Sequence, residues 1–306
     1  MKFSVVVISL LFLSSHRLLS EEEVTPEFIV QSIKQNLSAI KAVTFTADSF
    51  LGSKRSLVAR VSMSECLDKF IFSYREFDPE SGQLRIEREY AFDGANSYKL
   101  LSDEKLLHVR KESQGFQLPP EIRNVPHLFS IYEFLFGAEG DKIWLSPQTL
   151  ILNGINWESI KSKISNVHIE SIEGKNVIAF DIEGGRDRFI DFPVKYTVFL
   201  DSQHNLTPIG WKSFNTEGKL VSELIVLKEH QVTVQTSTKL FVPERIELKY
   251  YAISPGIISD FPTNVQLLSF ADISLNDGDQ KEFSIDPSRA SVVYDEPEST
   301  RIAVPK

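Results

Sequence analysis

The residues that could carry chemistry in this 306-residue chain are scattered rather than grouped. No two of its six histidines stand four residues apart, and no HExxH segment occurs, so the sequence predicts no helical metal site. Asp93 lies before Gly94 in the segment EYAFDGANSYKLL and could be a catalytic carboxylate or a turn residue. Because Asp-Gly between two alternating apolar segments is typical of a hairpin, we predict that Asp93 forms a turn.

Other arrangements of reactive residues are also missing from the sequence. The one cysteine, Cys66, can form neither an intramolecular disulfide nor a cysteine zinc cluster, and we interpret it as a small, half-buried residue near a strand end. The glycine-containing segments LGSKRS and EGGRDRF lack the spacings of a phosphate-binding loop and of a nucleophile elbow. The sequence therefore predicts a protein that is not an enzyme, with no catalytic residues, no metal ligands and no cofactor.

The N-terminus has the pattern of a secretory signal peptide over residues 1–20. Lys2 precedes the apolar run FSVVVISLLFL, which is too short to cross a membrane, and small residues follow up to Ser20. Cleavage would remove Lys2 and Arg17 and change the net charge from -9 to -11. Such an acidic protein is not expected to bind nucleic acid, and anionic headgroups would repel it, so a lipid partner must be held by its tails.

Most of the remaining chain alternates between apolar and polar residues, as strands with one wet face do. In residues 84–92, for example, apolar side chains alternate with Arg85, Glu87 and Glu89. Three segments have helical patterns instead: one that Thr25 caps, one over residues 125–137 and one over residues 156–164. The segment 125–137 is apolar nearly all round, which favours a core helix over a lid on a cleft.

These elements predict a mainly β (α+β) fold with one large antiparallel sheet. So many successive strands must curl, so we expect a curved sheet that forms an unclosed β-barrel with about three helices on its concave side. We predict a single domain over residues 21–290 and a loosely ordered tail over residues 291–306.

Four segments resemble the LolA-like outer-membrane lipoprotein-sorting proteins. They are EYAFDGANSYKLL, YTVFLDSQHNLTPIGWKSFNTEGKLVSELIVL, TKLFVPERIELKYY and ISLNDGDQKEFSIDP, and the resemblance extends from Thr25 to Pro287. It implies a periplasmic location and a cavity that carries lipoprotein acyl chains from the inner to the outer membrane. It also implies an arginine in the cavity, for which Arg60, Arg75 and Arg88 are all possible.

The expected function is that of a periplasmic carrier or binding protein in outer-membrane lipoprotein sorting, which holds lipoprotein acyl chains or other lipid tails. We expect a monomer, with envelope membrane proteins as further candidate partners. The residues expected to line its cavity are Phe45, Val61, Phe70, Phe72, Tyr74, Ile86, Tyr90, Phe92, Phe129, Phe134, Ile246, Leu248 and Tyr250. An alternative is a periplasmic regulatory or sensor module that binds a membrane-protein partner, similar to proteins of this fold that restrain an anti-sigma factor.

Overall fold

A computed structural model describes residues 24–52, 54–66, 69–111, 132, 135, 155–172, 174–187, 192–234, 239–254, 257–276, 283–296 and 300–303. Strands dominate this part of the chain. The first six are β1 (Ala42–Leu51), β2 (Ser56–Cys66), β3 (Lys69–Phe77), β4 (Leu84–Phe92), β5 (Asn96–Leu101) and β6 (Leu106–Lys111). The next six are β7 (Ile164–Ile172), β8 (Lys175–Asp187), β9 (Phe192–Asp201), β10 (Thr207–Phe214), β11 (Leu220–Thr233) and β12 (Lys239–Tyr250). The last five are β13 (Ala252–Ser254), β14 (Ile257–Ile258), β15 (Asn264–Leu275), β16 (Val292–Glu296) and β17 (Thr300–Ala303).

Fifteen of these strands form one sheet, in the order β17-β16-β6-β5-β4-β3-β2-β1-β15-β12-β11-β10-β9-β8-β7. Neighbouring strands are antiparallel except for β16, which pairs with β6 in parallel. The edge strands β17 and β7 do not pair with each other, so the sheet is not closed. Strands β13 and β14 form a separate small hairpin. The predicted fold class, a large unclosed and mostly antiparallel sheet, is confirmed.

Two α-helices accompany the sheet in the described residues, α1 (Pro26–Ser38) and α2 (Trp157–Lys163). The Thr25 hydroxyl accepts a hydrogen bond from the amide of Phe28, and Pro26 occupies the first turn, as the sequence predicts. Apolar residues at helical spacing bury one face of α1, with Ile29, Ile33 and Leu37 at its centre. Asn156 caps α2 in the same way. No helix within the described ranges is long and apolar enough to cross a membrane.

The main apolar cluster of the described residues joins both halves of the sheet. It contains the α1 stripe, inward residues of β1–β4 and inward residues of β8–β12, such as Phe180, Tyr196 and Trp211. Because side chains from strands so distant in the sheet order meet in one cluster, the sheet must curve around them. A smaller cluster lies under β4, β5 and β6, where Ile285 and Ala290 pack against Leu107.

Two of the three predicted helices, α1 and α2, lie in the described residues, together with a 3₁₀ turn at Pro287–Arg289. The predicted helix over residues 125–137 falls almost entirely outside the described residues, as does the predicted signal peptide. Within the predicted loosely ordered tail, Val292–Glu296 and Thr300–Ala303 instead form strands, because β16 completes the open edge of β6.

Candidate functional site

The candidate site is the apolar concave face of strands β1 to β4. Strand pairing places Phe45 opposite Met63, Met63 opposite Phe72, and Phe72 opposite Tyr90. We call these four residues the apolar row. Neighbouring strands lie about 4.8 Å apart, so the row crosses the sheet over about 14 Å. All four side chains are buried.

Aromatic contacts extend this face beyond the row. The rings of Phe72 and Tyr90 have their centroids 6.3 Å apart, and Phe70 and Phe92 repeat that spacing one pair further along the strands. Phe45 meets Phe270 of β15 edge to face at 5.8 Å. Such tilted and edge-on geometries are the favourable ones for aromatic pairs. The result is a continuous, buried apolar layer across β15 and β1–β4.

Of the residues predicted to line a cavity, those that the structure describes lie on this face and on its continuation on β12. Eight of them are buried: Phe45, Val61, Phe70, Phe72, Tyr90, Phe92, Ile246 and Leu248. Tyr74, Ile86 and Tyr250 are half-buried. Phe129 and Phe134 lie outside the described residues. Tyr132 and Leu135 come from the same part of the chain, and both are buried in the main cluster.

The concave face becomes polar toward the end of the strands where β3 meets the start of β4. Tyr74 pairs with Arg88, and Glu76 pairs with Ile86. The Tyr74 hydroxyl donates to Glu76 at 3.3 Å. Burial first, and then the neighbouring Glu76 carboxylate, raise the pKa of Tyr74 to about 12, so the phenol stays protonated as a donor.

The structure distinguishes the three arginines that the sequence left open. Arg60 and Arg75 lie on the outer face, with side chains 50% exposed, and pair with Asp48 and Glu87 at 2.6 Å. Arg88 lies on the same face as Tyr90 and Phe92, its side chain is 20% exposed, and it pairs with Asp103 at 2.5 Å. The alternation of residues 84–92 contained this signal, because position 88 has the parity of the apolar residues.

A second concavity lies on the opposite face of the sheet, at β8 and β9. It is a groove of about 720 Å³ around Asp181, Lys195 and Asn215. The Asp181 carboxylate accepts hydrogen bonds from the Thr197 hydroxyl at 2.7 Å, the Lys195 ammonium at 3.1 Å and the Asn166 amide at 3.2 Å. These contacts provide hydrogen-bond partners for both carboxylate oxygens of Asp181.

No protein-family model and no curated protein matches the chain. Solved structures do. A LolA superfamily protein from Nitrosomonas europaea matches with 14% identity and a TM-score of 0.43, over 86% of this chain and 99% of that one. A DUF1329 family protein from Desulfovibrio piger matches with 8% identity and a TM-score of 0.40, over 83% and 95%. LprF from Mycobacterium bovis matches with 10% identity and a TM-score of 0.28, over 86% of this chain and 98% of that one.

The chain resembles LolA-like proteins. The similarity to the LolA superfamily protein extends over 86% of the chain. At identities of 8–14% and TM-scores of at most 0.43, this likeness is no evidence of a shared ligand or activity.

Proposed function

We propose that this protein is a lipid-tail carrier that holds acyl chains against the apolar row. The observation that supports the proposal is the row itself, Phe45, Met63, Phe72 and Tyr90, which forms an unbroken apolar band across four strands. Each methylene that leaves water for such a surface contributes about 0.8 kcal/mol. About ten buried methylenes would then contribute about 8 kcal/mol, without any precisely placed polar group.

The row is buried in the structure, so a tail must replace part of its present packing. The α1 stripe shares the cluster with the row, and so do Tyr132 and Leu135. Exchange of one apolar cover for another leaves the row out of water in both states, and this lowers the cost of opening. We expect the association rate constant to lie below the diffusion limit, because α1 and the other residues that cover the row must move before the tail can enter.

Arg88 supplies a cation at the polar end of the same face. Its partner Asp103 is 56% exposed, so the ion pair is weakly held and can be exchanged. We propose that the Arg88 guanidinium binds a carbonyl or an anionic group where the tail joins its headgroup. The overall negative charge disfavours binding to an anionic membrane surface, which matches a carrier that binds single lipids or lipoproteins.

The proposed setting is the periplasm, to which the signal peptide would direct export before its cleavage, and the proposed clients are acylated lipoproteins or free lipids. We propose that the chain acts as a monomeric, single-domain binding protein and not as an enzyme. These points extend from the sequence resemblance to LolA-like proteins, and the apolar row supports only the binding of lipid tails.

Titration with a fluorescent sixteen-carbon fatty acid tests the proposal. We expect saturable binding with one or a few sites, displaced by unlabelled lipid. Arg88→Gln should weaken binding of the acid more than binding of an uncharged analogue, since only the acid offers a charge to the guanidinium. Arg60→Gln is the matched control, because Arg60 lies on the outer face and pairs with Asp48. It should change the affinity for neither the acid nor the uncharged analogue. Absence of saturable binding to the wild-type chain would overturn the proposal.

A further inference from the structure

Away from the concave face, the turn between β9 and β10 brings three potential metal ligands together with β11. Asp201 ends β9, His204 lies in the turn, and Glu229 lies on β11. One ligand atom from each residue lies within 4.8 Å of the other two. Ligand atoms that share one Zn²⁺ at bond lengths of about 2.1 Å are about 3.4 Å apart, so small side-chain rotations suffice to close the site.

The turn holds two of these side chains in place. The Asp201 carboxylate is buried, and its Oδ1 accepts a hydrogen bond from the amide of Gln203 at 2.8 Å. Its Oδ2 lies 2.8 Å from His204 Nδ1. The His204 ring packs on Phe241 with the ring centroids 3.9 Å apart. The metal-ligand atoms of Asp201 and His204 are therefore held in position before any ion binds.

Glu229 provides an independent observation. Its Oε1 atom is buried and has no hydrogen-bond partner. A buried carboxylate oxygen without a donor is costly, and native structures seldom leave one without an explanation such as an ion.

We propose that Asp201, His204 and Glu229 bind a divalent transition-metal ion of the Zn²⁺ class. One imidazole nitrogen and two carboxylate oxygens suit Zn²⁺ or Mn²⁺, whereas a soft ion such as Cu⁺ would require sulfur ligands. Three protein ligands leave a position for water. The pairing between β10 and β11 ends at Ile225 of β11, and β11 continues beyond that point. An ion bound by Glu229 would therefore link this continuation of β11 to the β9–β10 turn. This site does not depend on the proposed lipid binding.

Calorimetric titration of Zn²⁺ into the untagged, chelator-treated chain tests the proposal, with Mg²⁺ as a comparison. We expect saturation at one Zn²⁺ per chain, weak or no Mg²⁺ binding, and a rise in Tm on addition of Zn²⁺. His204→Ala and Glu229→Gln should each weaken Zn²⁺ binding at least tenfold. His230→Ala is the matched control, because His230 is exposed and follows Glu229 directly.

The metal-free form of Glu229→Gln separates loss of binding from loss of folding. Because glutamine keeps the size and shape of the glutamate side chain, the metal-free Tm should stay close to that of the wild type, while Zn²⁺ should no longer shift it. Absence of Zn²⁺ binding to the wild-type chain would overturn the proposal. Zn²⁺ binding that persists in His204→Ala would also overturn it. So would a loss of binding in His230→Ala as large as that in His204→Ala, since surface imidazoles would then hold the ion.

Discussion

At the residue scale, Asp93 shows how local chemistry fixes a turn. Its Oδ1 accepts hydrogen bonds from the amides of Ala95 and Asn96 at 2.8 and 2.7 Å, and its Oδ2 accepts one from the Tyr98 hydroxyl at 2.7 Å. Gly94 has a φ of 96°, which a residue with a Cβ rarely adopts. The prediction of a turn residue is thus confirmed. Partial burial opposes ionisation of Asp93, but the hydrogen bonds outweigh it and lower the pKa to about 2.

This lowered pKa predicts a pH-dependent contribution to stability. Because the folded-state pKa lies below the ordinary value of 3.8, the ionised Asp93 stabilises the fold above about pH 4, and the stabilisation disappears as the pH falls toward 2. Asp93→Ala should cost about 1 kcal/mol at pH 7, a value reduced for solvent screening. Urea unfolding at several pH values measures it. A wild-type to variant difference that stays constant down to pH 2 would contradict the prediction, and Tyr98→Phe should give a smaller effect.

The same scale marks the limit of inference from sequence. Asp93, Gly94 and the Thr25 cap can be predicted because their partners lie within five residues in the chain. Arg88 could have been assigned to the inner face from the alternation of β4. The approach of Glu229 to Asp201 and His204 could not, because it depends on how far β11 extends past β10, and this length follows from pairing across the sheet.

At the scale of elements, the N-terminal cap of α1 supports the helix that packs on the concave side. The Thr25 hydroxyl accepts from the Phe28 amide at 3.2 Å, which satisfies one of the free donors of the first turn. Thr25→Ala should lower the free energy of unfolding by about 1 kcal/mol. Thr25→Ser keeps the acceptor and should behave as the wild type in thermal unfolding. Equal losses in both variants would show that the cap is not the cause.

Strand β10 approaches β11 so closely that Gly210 has no room for a side chain. A Cβ at this position would lie 2.6 Å from the carbonyl oxygen of Leu224, a backbone atom that cannot rotate away. We expect Gly210→Ala to destabilise the protein by about 1–3 kcal/mol, the usual range for overpacking. Thr216→Ala, in the exposed turn after β10, is the control and should change stability little. A Gly210→Ala chain with wild-type Tm would contradict the close approach.

At the scale of the whole molecule, β16 pairs in parallel with β6 and covers the β6 edge of the sheet. The alternation of apolar and polar residues could not have predicted this pairing. It joins residues nearly two hundred positions apart, and the polar composition of the tail conceals it. Ile285 and Ala290 anchor the approach to β16 in the smaller apolar cluster. Truncation after Ala290 should therefore expose the β6 edge and promote self-association, which light scattering can measure. A truncated chain that stays monodisperse would contradict this role for β16.

The shared interior also predicts how the molecule unfolds. The α1 stripe, the apolar row and Trp211 on the other half of the sheet belong to one cluster, so neither half can lose its packing alone. Ile33→Ala should cost about 2–4 kcal/mol, and unfolding followed by tryptophan fluorescence and by far-ultraviolet circular dichroism should still coincide. Gln31→Ala, on the exposed face of α1, should have a small effect. Two separate transitions would instead mean that the two halves of the sheet fold independently. In that case, a displacement of α1 during lipid binding would leave the half that contains Trp211 folded.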